Sequence, residues 1–125
     1  MTDRLDDGYA LDCVRLPGRE AKPRSEGLTI AADRGMGPNA LDDLLRMSGD
    51  YIDIAKFAMG VSRLMKAERV RDRIQRYDEA EIPVFFAGEV SELAAMQGVA
   101  AAYFQQIRAL GGWGVEVSNA KIALG

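Results

Sequence analysis

Apolar and polar positions along this chain fall into alternating blocks, and the blocks predict four strand–helix units. Leu28 to Ala32 reads as a short strand, followed by the loop Asp33-Arg34-Gly35-Met36-Gly37. Pro38 suits the first position of a helix, where its missing N–H would be unpaired anyway. That helix extends to about Met47, with Leu41, Leu44 and Leu45 on one face. Tyr51 to Phe57 is the second strand, and its helix covers Leu64 to Glu79. Val70, Ile74 and Tyr77 recur at spacings of four and three on the inner side of that helix, which leaves Arg69, Arg71, Asp72, Arg73 and Arg76 for solvent. The third strand is Ile82 to Ala87, entered through Pro83, which is tolerated near a strand start. Ser91 reads as the cap of a helix from Glu92 to Met96, with Glu92 as a partner of the helix dipole. Gly98 interrupts, Ala100 to Leu110 continues as helix, and Gly111-Gly112 ends it. Trp113 to Ser118 is the fourth strand; Tyr103, Phe104 and Trp113 read as core.

The order is β-α-β-α-β-α-β, with strand starts 23, 31 and 31 residues apart. Such alternation makes right-handed crossovers and a parallel sheet, the α/β class. The repeat length suits either a (β/α)8 TIM barrel or a doubly wound sheet. No third glycine follows Gly35 and Gly37 in a dinucleotide-binding spacing. Polar residues collect at the strand ends instead: Asp33, Lys56, Gly88-Glu89, and Glu116 with Ser118. Charged residues at the carboxyl ends of parallel strands match the catalytic rim of a barrel. Lys56 stands out because an ammonium in a buried strand is costly unless it is paired or used. Glu116, between Val115 and Val117, faces the barrel interior if the valines face the helices. Residues 1–26, with the breakers Pro17-Gly18 and Lys22-Pro23-Arg24, read as a polar leader before the domain at 27–125.

Composition narrows the chemistry. The 125 residues suffice for one modest domain, 48% hydrophobic and 28% charged. A net charge of −3 offers no general attraction to nucleic acid or to an anionic membrane, and no apolar run is long enough to span one. The acidic start Met-Thr-Asp-Arg-Leu-Asp-Asp is not a signal peptide, and the single cysteine, Cys13, agrees with a reducing, cytoplasmic setting. The absence of histidine excludes histidine-based zinc sites and Ser-His-Asp triads. Acid–base work falls to carboxylates, lysine or tyrosine.

Several strings, in order, resemble the phosphosulfolactate synthase family: Lys22-Pro23-Arg24, Gly27-Leu28-Thr29, Asp33-Arg34-Gly35, and Gly49-Asp50-Tyr51-Ile52-Asp53 with Lys56-Phe57, Gly60 and Ser62. Ser91-Glu92-Leu93-Ala94 and Val115-Glu116-Val117-Ser118 continue it, so that the resemblance runs from about residue 20 to 120. It implies a (β/α)8 barrel, of which this chain is the N-terminal half. It also implies a carbon–sulfur lyase that adds sulfite to phosphoenolpyruvate with Mg²⁺, giving phosphosulfolactate, which in methanogens enters coenzyme M biosynthesis. The small anionic substrates are phosphoenolpyruvate and sulfite.

The resemblance suggests roles for particular residues. Lys56, Asp33 and Glu116 are the catalytic candidates, with Lys56 as the general acid. Asp33, Glu89 and Glu116 are the candidate Mg²⁺ ligands, being hard oxygen donors. Lys22, Arg24, Arg34, Gly60, Ser62 and Ser118 are the candidates for holding substrate anions. Several rim positions differ from the family's usual pattern. Asp33-Arg34-Gly35 stands where Asp-Lys-Gly is usual, and Ala58-Met59-Gly60-Val61 replaces Gly-Trp-Gly-Thr. Glu89 and Asn119 also depart from it. The alternative function is a truncated or divergent, non-catalytic half barrel that acts through self-association or a protein partner. With four strands and two open edges, the chain is expected to pair with its own copy or with a complementing half barrel.

Overall fold

The computed structural model describes residues 8–120. The acidic start at 1–7 and the end of the expected domain at 121–125 lie outside the described residues. The elements in chain order are β1 (Ile30–Asp33), α1 (Pro38–Ser48), β2 (Ile54–Phe57), α2 (Ala67–Glu79), β3 (Val84–Phe86), α3 (Gly88–Met96), α4 (Ala100–Leu110) and β4 (Gly114–Val115). The strands form one parallel sheet in the order β1-β2-β3-β4. This is the fold class expected of half a TIM barrel.

Every strand is shorter than its apolar run. Gly49–Tyr51 closes as a 3-10 turn, so β2 begins only after Asp53. Val61–Leu64 is likewise a 3-10 turn, and α2 starts later than the periodicity suggests. β4 pairs on one side only, although Trp113 N–H and Glu116 N–H still bond to Val84 and Phe86 carbonyls. Helix α3 begins three residues before Ser91, which therefore caps nothing; its hydroxyl bonds to the Glu116 carbonyl oxygen instead.

Alternation along the strands sorts side chains onto two faces. Ala55, Phe57, Val84 and Phe86 face the helices and join Leu41, Val70, Ile74, Tyr77 and Ile107 in the core. Phe57 sits 5.4 Å from Phe86 and 6.0 Å from Tyr77, ring centre to ring centre, in tilted and edge-on contacts. The register puts Ile30 beside Ile54, and Ala32, Lys56 and Phe85 in one row on the other face. In a closed barrel that face lines the interior; here Ile30 is 55% exposed. Trp113 and Phe104, expected in the core, are 65% and 43% exposed, while Tyr103 packs against the core.

The described residues ahead of β1, 8–29, carry turns without helix and are anchored. Arg24 donates to an Asp53 carboxylate oxygen at 2.8 Å and to the Asp50 carbonyl at 2.7 Å. Arg19 reaches Asp53, Thr29 and the Tyr51 carbonyl. Lys22 donates to the Ala80 carbonyl at 2.9 Å. Asp53 also accepts the Thr29 N–H, so this network ties the amino ends of β1 and β2 together.

Candidate functional site

Strand parity decides which charged residues meet. Ala55 and Phe57 turn to the helices, so Lys56 between them must point to the opposite face. On β4, Val115 packs toward the core, so Glu116 shares the face of Lys56. Lys56 Nζ donates to Glu116 Oε2 at 3.0 Å, across 60 positions of sequence. Glu116 is therefore the partner of Lys56, whereas Asp53 precedes the other end of β2. Gly88 N–H, at the start of α3, donates to the other Glu116 oxygen at 3.2 Å. The Lys56 hydrogen bond and the Gly88 N–H outweigh burial and hold the Glu116 carboxyl below its ordinary value. The pair is open to solvent, with the two side chains 30% and 39% exposed.

Around it lies a cavity of about 280 Å³ at the carboxyl ends of the strands, lined by Arg34, Lys56, Met59, Glu89, Glu116 and Ser118. Cations line one side and acids the other. The sheet thus gathers five of the expected site residues: Arg34, Lys56, Glu89, Glu116 and Ser118.

The remaining candidates are placed elsewhere, each for an identifiable reason. Asp33 follows Ala32, so parity turns it to the helix side, where it is 1% exposed. There it pairs with Arg73, accepts the Tyr77 hydroxyl at 2.8 Å, and accepts Gly35 and Met36 N–H groups at 2.8 and 3.0 Å. Its acceptor positions are filled, so it holds the β1–α1 loop rather than a metal or substrate. Lys22 and Arg24 sit at the amino ends of the strands, away from the cavity, with protein partners of their own. Gly60 and Ser62 line a different, mainly apolar cavity of about 320 Å³ on the helix side, between Phe57, Val70 and Ile107. Met59 and Gly60 both adopt left-handed backbone, φ 61° and 74°, which carries the chain from the rim over to that side. An added Cβ at Gly60 would lie 2.9 Å from Val90, so the crossing is also tight.

Mg²⁺ is the group the family resemblance implies. Among the described residues no three carboxylate or thiol side chains come together as a metal cluster. With Asp33 committed to Arg73, the expected trio reduces to Glu89 and Glu116, both on the cavity. Two carboxylates remain compatible with Mg²⁺, which commonly takes one or two together with water and substrate oxygens.

Three residues matter beyond the candidates, and the sequence pattern gave two of them, Arg73 and Glu92, other settings. Arg73 was expected on the solvated face of α2, yet it is 7% exposed and bonds to Asp33 and the Met36 carbonyl. Its position three after Val70 and four before Tyr77 is the signal that places it inward. Tyr77 adds its hydroxyl to Asp33; burial, that bond and the Asp33 charge push its pKa up strongly. Glu92, expected as a partner of the helix dipole, is 1% exposed and binds Ser118 and the Ala120 N–H. Nothing local in the sequence marks it.

Residues 17–125 match the protein family described as (2R)-phospho-3-sulfolactate synthase (ComA). The chain is 33% identical over 108 residues to the phosphosulfolactate synthase of Methanothermobacter thermautotrophicus, covering 86% of this chain and 42% of that one. It is 33% identical over 93 residues to that of Methanocaldococcus jannaschii, 74% of this chain and 37% of that one. To that of Bacillus subtilis it is 30% identical over 111 residues, 89% of this chain and 43% of that one. The chain spans about two fifths of the length of these curated relatives.

Proposed function

The chain belongs to the (2R)-phospho-3-sulfolactate synthase family, and on that premise we propose that its cavity is one side of a site that joins sulfite to phosphoenolpyruvate. The observation that supports this most is the Lys56–Glu116 pair at the carboxyl ends of β2 and β4, open to a cavity that also holds Arg34. Both substrates are anions, and Arg34 offers a planar fork suited to a carboxylate or phosphate. Sulfite sulfur bonds to the methylene carbon while the carbon–carbon π pair moves toward the carboxylate. The neighbouring carbon then takes a proton, and the Lys56 ammonium is the acid placed to give it. Glu116 holds that ammonium in place through the 3.0 Å hydrogen bond before transfer. Glu89 and Glu116 are the residues of this chain that would hold Mg²⁺, whose charge would stabilise the enediolate. Sulfite-dependent consumption of phosphoenolpyruvate in the presence of Mg²⁺ is the expected activity. Its absence in the closed barrel carrying this rim would sink the substrate assignment.

A second reading, a non-catalytic half barrel, draws on the uncovered inner face. Ile30 is 55% exposed there, and β1 and β4 each leave an edge unpaired among the described residues. On this reading the chain associates with a second copy or a complementing half barrel, and a clean monomer by light scattering with a cooperative thermal transition overturns it. No helix among the described residues is long and apolar enough to cross a membrane.

A further inference from the structure

Glu92 is a buried acid that neither reading uses. It lies on α3 with 1% exposure, behind the cavity wall. One of its carboxylate oxygens, Oε1, accepts two hydrogen bonds from the segment after β4: the Ser118 hydroxyl and, at 2.7 Å, the Ala120 N–H. The Ala120 N–H and the Ser118 hydroxyl thus both donate to the same carboxylate oxygen. The packing beside this contact is equally close. A Cβ added to Gly88 would stand 2.3 Å from Ser118 Oγ and 2.7 Å from Ser118 Cβ. Ser118 is therefore seated directly on the first residue of α3, whose N–H also holds Glu116.

We propose that Glu92 is a positioning residue of the rim: it ties residues 118–120 to α3 and, by accepting the hydrogen bond of the Ser118 hydroxyl, leaves Ser118 Oγ as an acceptor toward the cavity. This assigns a chemistry to each side of the cavity. Arg34 and Lys56 present donors and positive charge. Glu89, Glu116 and Ser118 Oγ present acceptors only. The β4 side then recognises a hydrogen-bond donor, such as the water shell of a hydrated divalent cation, and Ser118 is not the anion ligand that the resemblance suggests. The inference rests on the cavity being the site of the proposed reaction, but its test can be separated from that reading.

The experiment compares the full chain with Glu92→Ala, Glu92→Gln and Ser118→Ala. The amide of Ala120 is expected to exchange about tenfold faster in Glu92→Ala and at nearly the native rate in Glu92→Gln, which keeps an acceptor oxygen. Titrated with Mg²⁺ alone, Glu92→Ala and Ser118→Ala should bind on the order of tenfold more weakly, with Glu92→Gln close to native. Titrated with inorganic phosphate, which needs only Arg34 and Lys56, all four proteins should agree within about twofold. Unchanged Ala120 exchange in Glu92→Ala overturns the tether. No Mg²⁺ binding by the native chain, or parallel loss of Mg²⁺ and phosphate binding, overturns the assignment of the acceptor side. A native chain that binds Mg²⁺ but not phosphate instead counts against the proposed anion site and leaves Glu92 standing.

Discussion

Asp33 and Glu116 are both acids at the carboxyl end of a strand, and both have a cationic partner, yet they do opposite things. Asp33 faces the helices, with its partner Arg73 and the Tyr77 hydroxyl, and it is buried beyond the reach of a ligand. Glu116 faces the inner side of the sheet, where its partner Lys56 stays 30% exposed and a cavity opens beside them. The first pair fixes a loop, the second can exchange partners with a ligand. The contrast teaches that an acid at a strand end becomes a site residue only when it retains unfilled bonding capacity on an accessible face.

The contrast can be broken most directly at Arg73. Arg73→Met leaves the Asp33 charge buried and unpaired, and it should lower stability by about 3–5 kcal/mol in urea unfolding. A loss below about 1 kcal/mol would mean that Asp33 is not committed to this pair. Lys56→Ala should do the reverse. Turnover by the closed barrel is expected to fall roughly 10²–10⁴-fold. The urea midpoint should barely move, because a pair this exposed contributes about 0–1 kcal/mol. Comparable damage to both quantities would erase the distinction. A smaller effect sharpens it: Tyr77→Phe removes one hydrogen bond to a charged oxygen, for a loss of about 1.5–3 kcal/mol with no change in phosphate binding.

The smallest expected effect is a pH dependence at the amino end. Burial pushes the Asp53 carboxyl up, but the Thr29 N–H and Arg24, with help from Arg19, pull it further down, below its ordinary 3.8. A carboxyl held low stabilises the fold while ionised. That contribution is complete above the ordinary value and is lost as pH falls through the lowered one. The gap in thermal midpoint between the native chain and Asp53→Asn should therefore be constant from about pH 5 to 7 and close on acidification below 3.8. A gap that widens toward acid would show that Asp53 is not held low.

Much of the fold was legible in the residues. Val70, Ile74 and Tyr77 at helical spacing, Pro38 at a helix start and Gly111-Gly112 after a helix end all sit where local rules put them. The Val-Glu-Val string at 115–117 already implied that Glu116 would face away from the helices. Strand lengths were less legible, because Leu28-Thr29 and Tyr51 to Asp53 look like strand by residue type. Their backbone is instead drawn into the network of Asp53, Arg19 and Arg24, residues up to 34 positions apart. Lys22 and Arg24 resembled anion clamps for the same reason that they bind Asp53 and backbone carbonyls: a cation in a Pro-rich segment looks alike whether its partner is a substrate or the protein.

The sequence by itself determined the βα order, the parallel sheet and the family, because these depend on local periodicity and on strings of neighbouring residues. It also put Lys56, Glu116 and Arg34 near strand ends. Only the tertiary structure decided that Asp33 turns away from them, that Gly60 and Ser62 cross to the helix side, and that Glu92 reaches Ser118. Those outcomes depend on where each strand begins and on which residues face each other across the sheet. One residue of shift in either exchanges the two faces.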